Sequence, residues 1–181
     1  PSLDQRLTCP FNLALGFLDL PDQPPDPACL EETQISFYVP YTGEPPLELL
    51  PVQIPEMEIQ SLAPDGWTDL GQGVFSRQAI FEDDTRLEIR SSDEQATAWL
   101  AAMTAGFDGI GFDRTPARTN TRYSNGINWS IYRAFSEDRP VDLALGETGG
   151  RTLLVLLLSQ PAERDAMYRT VLLPAIDGTT P

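Results

Sequence analysis

The sequence predicts an α+β fold, in which helices pack on both faces of an antiparallel β-sheet as an α/β/α sandwich, preceded by a short helix and a proline-rich extended segment. Residues 153–158 are six consecutive apolar residues, too few to span a membrane and without the polar alternation of a half-exposed strand. This pattern indicates a central strand covered on both sides. The turn signals Asn125-Gly126 and Gly149-Gly150 predict hairpins, and therefore antiparallel neighbours.

The first 50 residues are predicted to form a separate segment. Residues 9–20 carry apolar side chains at helical spacing, and four prolines at 21–27 end that helix and extend the chain. Further prolines between 40 and 55 argue against a long regular element there. We therefore divide the chain into an N-terminal segment, 1–50, and an α+β sandwich domain, 51–181.

The main domain is predicted to run as three strands, a helix, three strands and a final helix. Ser92 as N-cap and Gln95 three residues later form a capping box ahead of the first helix, and residues 106–122 are expected to be a loop. The second helix opens at Pro161, and Pro174 should kink or shorten its end. The predicted strands lie at 57–62, 73–77, 85–90, 126–135, 141–145 and 153–158.

Composition argues against several classes of function. The formal net charge is −15, which disfavours binding to nucleic acid and to anionic membrane surfaces. The sequence has no His, and therefore lacks the usual general base and the commonest metal ligand. It also has no Lys, so Schiff-base chemistry is excluded. We therefore expect no catalytic residue, no cofactor and no metal site, and no membrane-spanning segment.

Cys9 and Cys29 are the only cysteines, and they leave two explanations open. They form either a structural disulfide in an oxidising compartment or two unrelated buried thiols. Both lie beside prolines in a segment that could bury little core alone, which favours the disulfide. Closing such a loop would contribute about 3 kcal/mol. The expected location is extracytoplasmic: secreted, periplasmic or at the cell surface.

Residues 9–30 also contain a family resemblance. It is carried by Cys9-Pro10, Leu13-Ala14-Leu15, Phe17-Leu18, Pro21, Pro25-Asp26 and Cys29-Leu30. This string resembles the C-terminal tail of secreted tripeptidyl-aminopeptidase-like α/β-hydrolases, in which the tail follows the loop with the catalytic His. This sequence contains no G-x-S-x-G motif and no His, so no catalytic residue can be carried over.

A second resemblance covers the block from Met57 to Ile176. It is carried by Pro64-Asp65-Gly66-Trp67, Val74-Phe75-Ser76-Arg77, Gly126-Ile127-Asn128-Trp129 and Leu173-Pro174-Ala175. These phrases resemble the PsbP-like fold of photosystem extrinsic proteins, in a form fused to bacterial secreted hydrolases. The resemblance implies an accessory role and supplies no catalytic constellation.

Other polar groups each have a functional and a simpler interpretation. The acidic run Glu82-Asp83-Asp84, near Asp93 and Glu94, is either a Ca²⁺ site or a solvated turn, and the turn is favoured. The glycine pair in 108–113 neither follows a clear strand nor opens a clear helix, so a loop is favoured over a phosphate site.

Three arginines and three tryptophans also have two interpretations each. Arg114, Arg118 and Arg122 form either a cationic patch for a carboxylate or sulfate, or internal salt bridges. The glycosylation pattern at 128–130 lies inside a predicted strand and is treated as coincidental. Core packing is the favoured role of the tryptophans, which are Trp67, Trp99 and Trp129.

The leading hypothesis is a non-catalytic extracytoplasmic accessory domain, attached to or cut from a secreted α/β-hydrolase, that binds a protein partner. The alternative is a free-standing PsbP-like accessory protein that assembles on a membrane or cell-surface complex.

Overall fold

A seven-stranded antiparallel sheet is the main element of the computed structural model, which describes residues 39–77, 83–105, 112, 116–137 and 139–181. The strand order is β3-β4-β5-β9-β8-β7-β6, and a separate two-stranded sheet pairs β1 with β2. The strands are β1 Leu49–Ile54, β2 Ile59–Pro64, β3 Thr68–Gly71, β4 Val74–Ser76, β5 Arg86–Ser92, β6 Ala117–Ser124, β7 Ile127–Ser136, β8 Arg139–Thr148 and β9 Arg151–Leu158.

Helices are few in the described part of the chain. The helix α1 spans Ala96–Thr104, and a 3-10 turn at Pro161–Glu163 leads into the C-terminal helical segment, 164–178. That segment consists of α2 at Arg164–Met167, a π-helical stretch at Tyr168–Leu172 and α3 at Leu173–Gly178. The π-helical stretch ends two residues before Pro174, which has no N–H to donate to a regular helical hydrogen bond. This agrees with the distortion predicted near Pro174.

The predicted central strand is β9, which pairs with β5 on one side and β8 on the other. Its residues from Thr152 to Leu158 are all buried. Leu154 and Leu156 belong to a core cluster that also contains Trp99 of α1. Val155 and Leu157 belong to a second cluster that also contains side chains of the C-terminal helical segment. The sheet therefore contributes alternate residues of one strand to two separate cores.

The observed class is an α+β fold dominated by antiparallel sheet, and it confirms the coarse form of the predicted fold. The predicted hairpins at Asn125-Gly126 and Gly149-Gly150 are both present, and all four of these residues have positive φ, as type I′ turns require. The full description as a sandwich with helices on both faces stays a prediction.

Several elements differ from the sequence-based expectation. The strand β1 lies where prolines predicted an irregular connector, and β6 occupies residues predicted as loop. The predicted capping box is wrong, because Ser92 ends β5 and the N-cap of α1 is Gln95, which makes no side-chain cap bond. The N–H of Ala96 is instead satisfied by the carboxylate of Glu147 at 2.9 Å.

The small sheet is tied to the end of the chain. Gln60 in β2 exchanges two backbone hydrogen bonds with Thr180, at 3.0 and 2.9 Å. The hydroxyls of Ser61 and Thr179 are hydrogen-bonded at 2.8 Å, and both residues are buried. These bonds fix the C-terminal helical segment against β2.

Residues Val39–Pro181 form one compact unit, in which Tyr41 and Leu47 pack against the core. The predicted boundary at 50/51 stays a prediction. The predicted N-terminal helix, proline-rich segment, Cys9 and Cys29 lie outside the described residues.

Candidate functional site

Two buried ionic networks account for several charged groups. In the first, Arg77 donates to Asp83 and to Glu163, both at 2.7 Å, and to the hydroxyl of Thr85 at 3.2 Å. Glu163 also accepts the backbone N–H of Tyr41 at 2.5 Å. This network joins β4, the start of the C-terminal helical segment and residues near 41, so its role is structural.

The second network lies on β5. Glu88, whose side chain is only 3% exposed, bridges Arg86 and Arg90, with both N–O distances 2.8 Å. Arg86 and Glu88 line a cavity of about 180 Å³, and Arg139 pairs with Asp84 in the wall of that cavity. Each of these arginines already has a carboxylate partner, so this cavity offers little free positive charge.

The strand β6 forms one edge of the seven-stranded sheet, and no described residue pairs with its outer side. The two-residue turn makes Ser124 and Ile127 a hydrogen-bonded pair, so the N–H groups of Thr121 and Tyr123 point away from β7. The N–H of Thr121 indeed donates to the side chain of Asn120, at 2.8 Å, and not to β7. Tyr123 is 71% exposed.

Three arginines line one surface hollow of about 460 Å³, which we call the arginine hollow: Arg133 on β7, with Arg164 and Arg169 on the C-terminal helical segment. Its wall also includes Tyr41 and Asp165. Arg169 is exposed and makes no hydrogen bond or ion pair with other described residues. On a chain of net charge −15, this hollow brings three guanidiniums together, and Arg169 is the one without a carboxylate partner among the described residues.

The carboxylate of Asp142 holds two of these arginines in place. It is fully buried and accepts two hydrogen bonds from Arg164, at 3.0 and 3.1 Å, while Arg133 lies 3.3 Å from the same carboxylate. Burial raises the pKa of Asp142 above its usual value, and the bonds from Arg164 oppose that rise. The guanidinium of Arg164 also lies 4.9 Å from the centre of the Phe135 ring.

A further ion pair joins the edge of the sheet to the chain's C-terminal region. Arg122 of β6 forms two hydrogen bonds to Asp177, at 2.6 and 2.5 Å. These bonds hold the pKa of Asp177 below its usual value and raise that of Arg122. Asn125 in the adjacent turn donates to the backbone carbonyl of Asp177 at 2.7 Å. The pair fastens β6 to the helical segment.

The structure can be compared with the predictions for the acidic run and for the three arginines. The favoured solvated turn is wrong for Asp83, which is 7% exposed and bonded to Arg77. Arg122 is salt-bridged to Asp177, as the second interpretation expects, whereas Arg118 is exposed. Arg114, Glu82, most of the 108–113 loop, Cys9 and Cys29 lie outside the described residues.

The tryptophan prediction agrees with the structure. Trp99 and Trp129 are 5% and 1% exposed in the core, and Trp67 packs against it. Asn128 lies in β7, as predicted for the glycosylation pattern. Sequence reasoning missed the arginine hollow, and no local motif marks it.

The described residues contain no group of three or more side chains placed to hold a metal ion. Within the same residues, no helix is long and apolar enough to cross a bilayer.

Fold and site together define an α+β domain with a sheet edge that no described residue pairs with and an arginine-lined hollow. No family model and no curated protein matches the chain. Among solved structures, it is similar to the solution structure of cyanobacterial PsbP from Synechocystis sp. PCC 6803, with 16% identity over 74% of this chain and 92% of that chain, and a TM-score of 0.49. A protein of unknown function, PA94 from Pseudomonas aeruginosa, is similar with 16% identity over 74% of this chain and 97% of that chain, and a TM-score of 0.39.

Proposed function

We propose that this chain is a non-catalytic, extracytoplasmic accessory domain of PsbP-like type that binds a protein partner. The PsbP-like assignment is supported by the four sequence phrases between residues 64 and 175. The proposed α/β/α sandwich is supported by the two core clusters, one containing residues of α1 and the other residues of the C-terminal helical segment.

A structural role for the buried carboxylates supports the non-catalytic part of the proposal. Asp83, Glu88, Asp142 and Glu163 are all buried, and each is bonded to an arginine. A buried carboxylate that an arginine holds in this way stabilises the fold, because removing either partner would leave the other without its ion pair.

The observation that carries the proposal is the open edge at β6. An exposed edge strand presents unpaired backbone groups, and proteins commonly use such an edge to bind an extended segment of a partner. All residues from Ala117 to Thr121 are exposed, and the strand contains no proline to block pairing. A partner strand would bond to the outward N–H of Tyr123, and to that of Thr121 by displacing the exposed side chain of Asn120.

The partner could be of two kinds. In the first, residues 9–30, which resemble the tail of a secreted hydrolase, connect the domain to a hydrolase body that is its partner. In the second, the domain is free-standing and assembles on a membrane or cell-surface complex. A disulfide between Cys9 and Cys29 is expected in both cases, because both place the chain outside the cytoplasm.

The test uses the full protein, tagged and cross-linked in the organism that produces it. The Thr121→Pro variant removes one outward N–H and should abolish cross-linking to the partner. The Thr121→Ala variant is the matched control, because it shortens the same side chain but keeps the N–H.

Urea melts of both variants establish that the fold is intact. Equal cross-linking by wild type and a folded Thr121→Pro variant would refute the edge as the docking surface. A wild-type protein that cross-links to nothing would refute the accessory role. The identity of the cross-linked protein decides between the hydrolase and a surface complex.

A further inference from the structure

The arginine hollow has the features of a prearranged anion site. Two of its three guanidiniums are held in place before any ligand arrives, because Arg164 and Arg133 both contact the buried Asp142. The ring of Phe135 lies under Arg164, and Arg133 lies 5.5 Å from the ring centre of Tyr168. Side chains fixed in this way lose little further conformational entropy on binding.

Donor groups in the hollow remain available. Among the described residues, the Nη1 groups of Arg133 and Arg164 make no hydrogen bond, and Arg169 makes none with any of its nitrogens. Guanidinium groups bind planar and tetrahedral oxyanions through paired N–H donors, more specifically than an ammonium does. The hollow therefore offers donors from three arginines to one ligand.

The ligand should be a small organic molecule with an oxyanion head group. The volume of about 460 Å³ is larger than a bare inorganic ion needs and falls within the range of small-molecule sites. Tyr41, Pro161 and Ala162 also line the hollow and supply a less polar part of its wall for a carbon body. We propose that the arginine hollow binds a small organic oxyanion, carrying a carboxylate or a phosphate group.

Asp165 is a built-in competitor for this ligand. Its side chain is 75% exposed and lies 3.2 Å from Nη2 of Arg133. So exposed an ion pair is weak, and an incoming oxyanion can displace it. The carboxylate of Asp165 nevertheless repels an anion in the hollow, so removing its charge should strengthen binding.

Calorimetric titration at constant ionic strength tests the site, with succinate, glycerol 3-phosphate and inorganic phosphate as probes and glycerol as the neutral control. Wild type should bind succinate or glycerol 3-phosphate saturably at one site, and inorganic phosphate more weakly. The tighter of the two organic probes identifies the head group. The proposal is independent of the protein partner, since only small molecules are used.

Three variants decide whether the binding is specific. Arg169→Gln should weaken it about tenfold, the loss expected for a charge-assisted hydrogen bond, and Asp165→Asn should strengthen it about threefold. Arg118→Gln is the matched control, because it removes the same charge from an exposed arginine on β6 that does not line the hollow. Binding that is not saturable, or that Arg118→Gln weakens as much as Arg169→Gln does, would overturn the proposal.

Discussion

Truncating the four central residues of β9 one at a time tests how the sheet is covered. Leu154, Val155, Leu156 and Leu157 are 0%, 0%, 2% and 0% exposed, and successive residues belong to different core clusters. If both faces are covered, the alanine variant of every position leaves a cavity. A strand with one wet face would lose stability only at alternate positions.

The expected losses are large enough to measure singly. Replacing a buried leucine by alanine costs about 2–5 kcal/mol, and the valine variant should cost somewhat less, because fewer carbons are removed. With an m value of about 2 kcal/mol/M, each leucine variant lowers the urea midpoint by about 1–2.5 M. Thr121→Ala, at an exposed position of β6, should change stability by less than about 0.5 kcal/mol. Large losses at Leu154 and Leu156 with negligible losses at Val155 and Leu157, or the reverse, would refute the two-sided arrangement.

Three further predictions concern chemistry and pH. Non-reducing peptide mapping should find Cys9 linked to Cys29, and two freely alkylated thiols in the native protein would contradict this. The purified chain should not hydrolyse chromogenic esters or aminopeptidase substrates, whereas turnover lost on mutation of one of its serines would show a catalytic site. In the folded protein the pKa of Asp177 is lower than its usual value of about 3.9. Its ion pair with Arg122 therefore stabilises the fold fully above about pH 3.9, and this stabilisation is lost as the pH falls through the pKa of Asp177 in the folded protein. The difference in unfolding free energy between wild type and Asp177→Asn should therefore shrink in acid, and a difference that is constant from neutral to strongly acidic pH would contradict the assignment.

Strands with buried apolar side chains could be predicted from the sequence, whereas the strands at the edges of the sheets could not. The central strand β9, its neighbours β5 and β8, and β7 on the far side of β8 carry buried apolar side chains that mark them as strands. The strand β6 is exposed along most of its length, so it has no apolar period to detect. Its Thr and Tyr residues and the following Asn-Gly turn were the available signals.

Prolines misled the interpretation of β1. Pro51 lies within this strand, but among the described residues β1 pairs only with β2, so a residue without an N–H can face the other side. The capping box failed for another reason. Ser92 is held in the sheet opposite Thr152, and tertiary pairing overrode a local helix signal.

The arginine hollow could not be predicted from local sequence. Tyr41, Arg133, Arg164 and Arg169 are far apart along the chain and meet only because β7 lies beside the C-terminal helical segment. Asp142, which positions two of the arginines, lies in an otherwise apolar stretch of β8, and a carboxylate buried in such a strand was the one available hint.

Amide hydrogen exchange of the protein with and without its cross-linked partner tests the central claim most directly. In the free protein the outward N–H of Thr121 is bonded only to the exposed side chain of Asn120, so it should exchange rapidly, as should that of Tyr123. The account predicts that both become protected in the complex, because a partner strand then bonds to them. Unchanged exchange at both positions, with new protection confined to other surfaces, would contradict the claim that the domain binds its partner through the edge of β6.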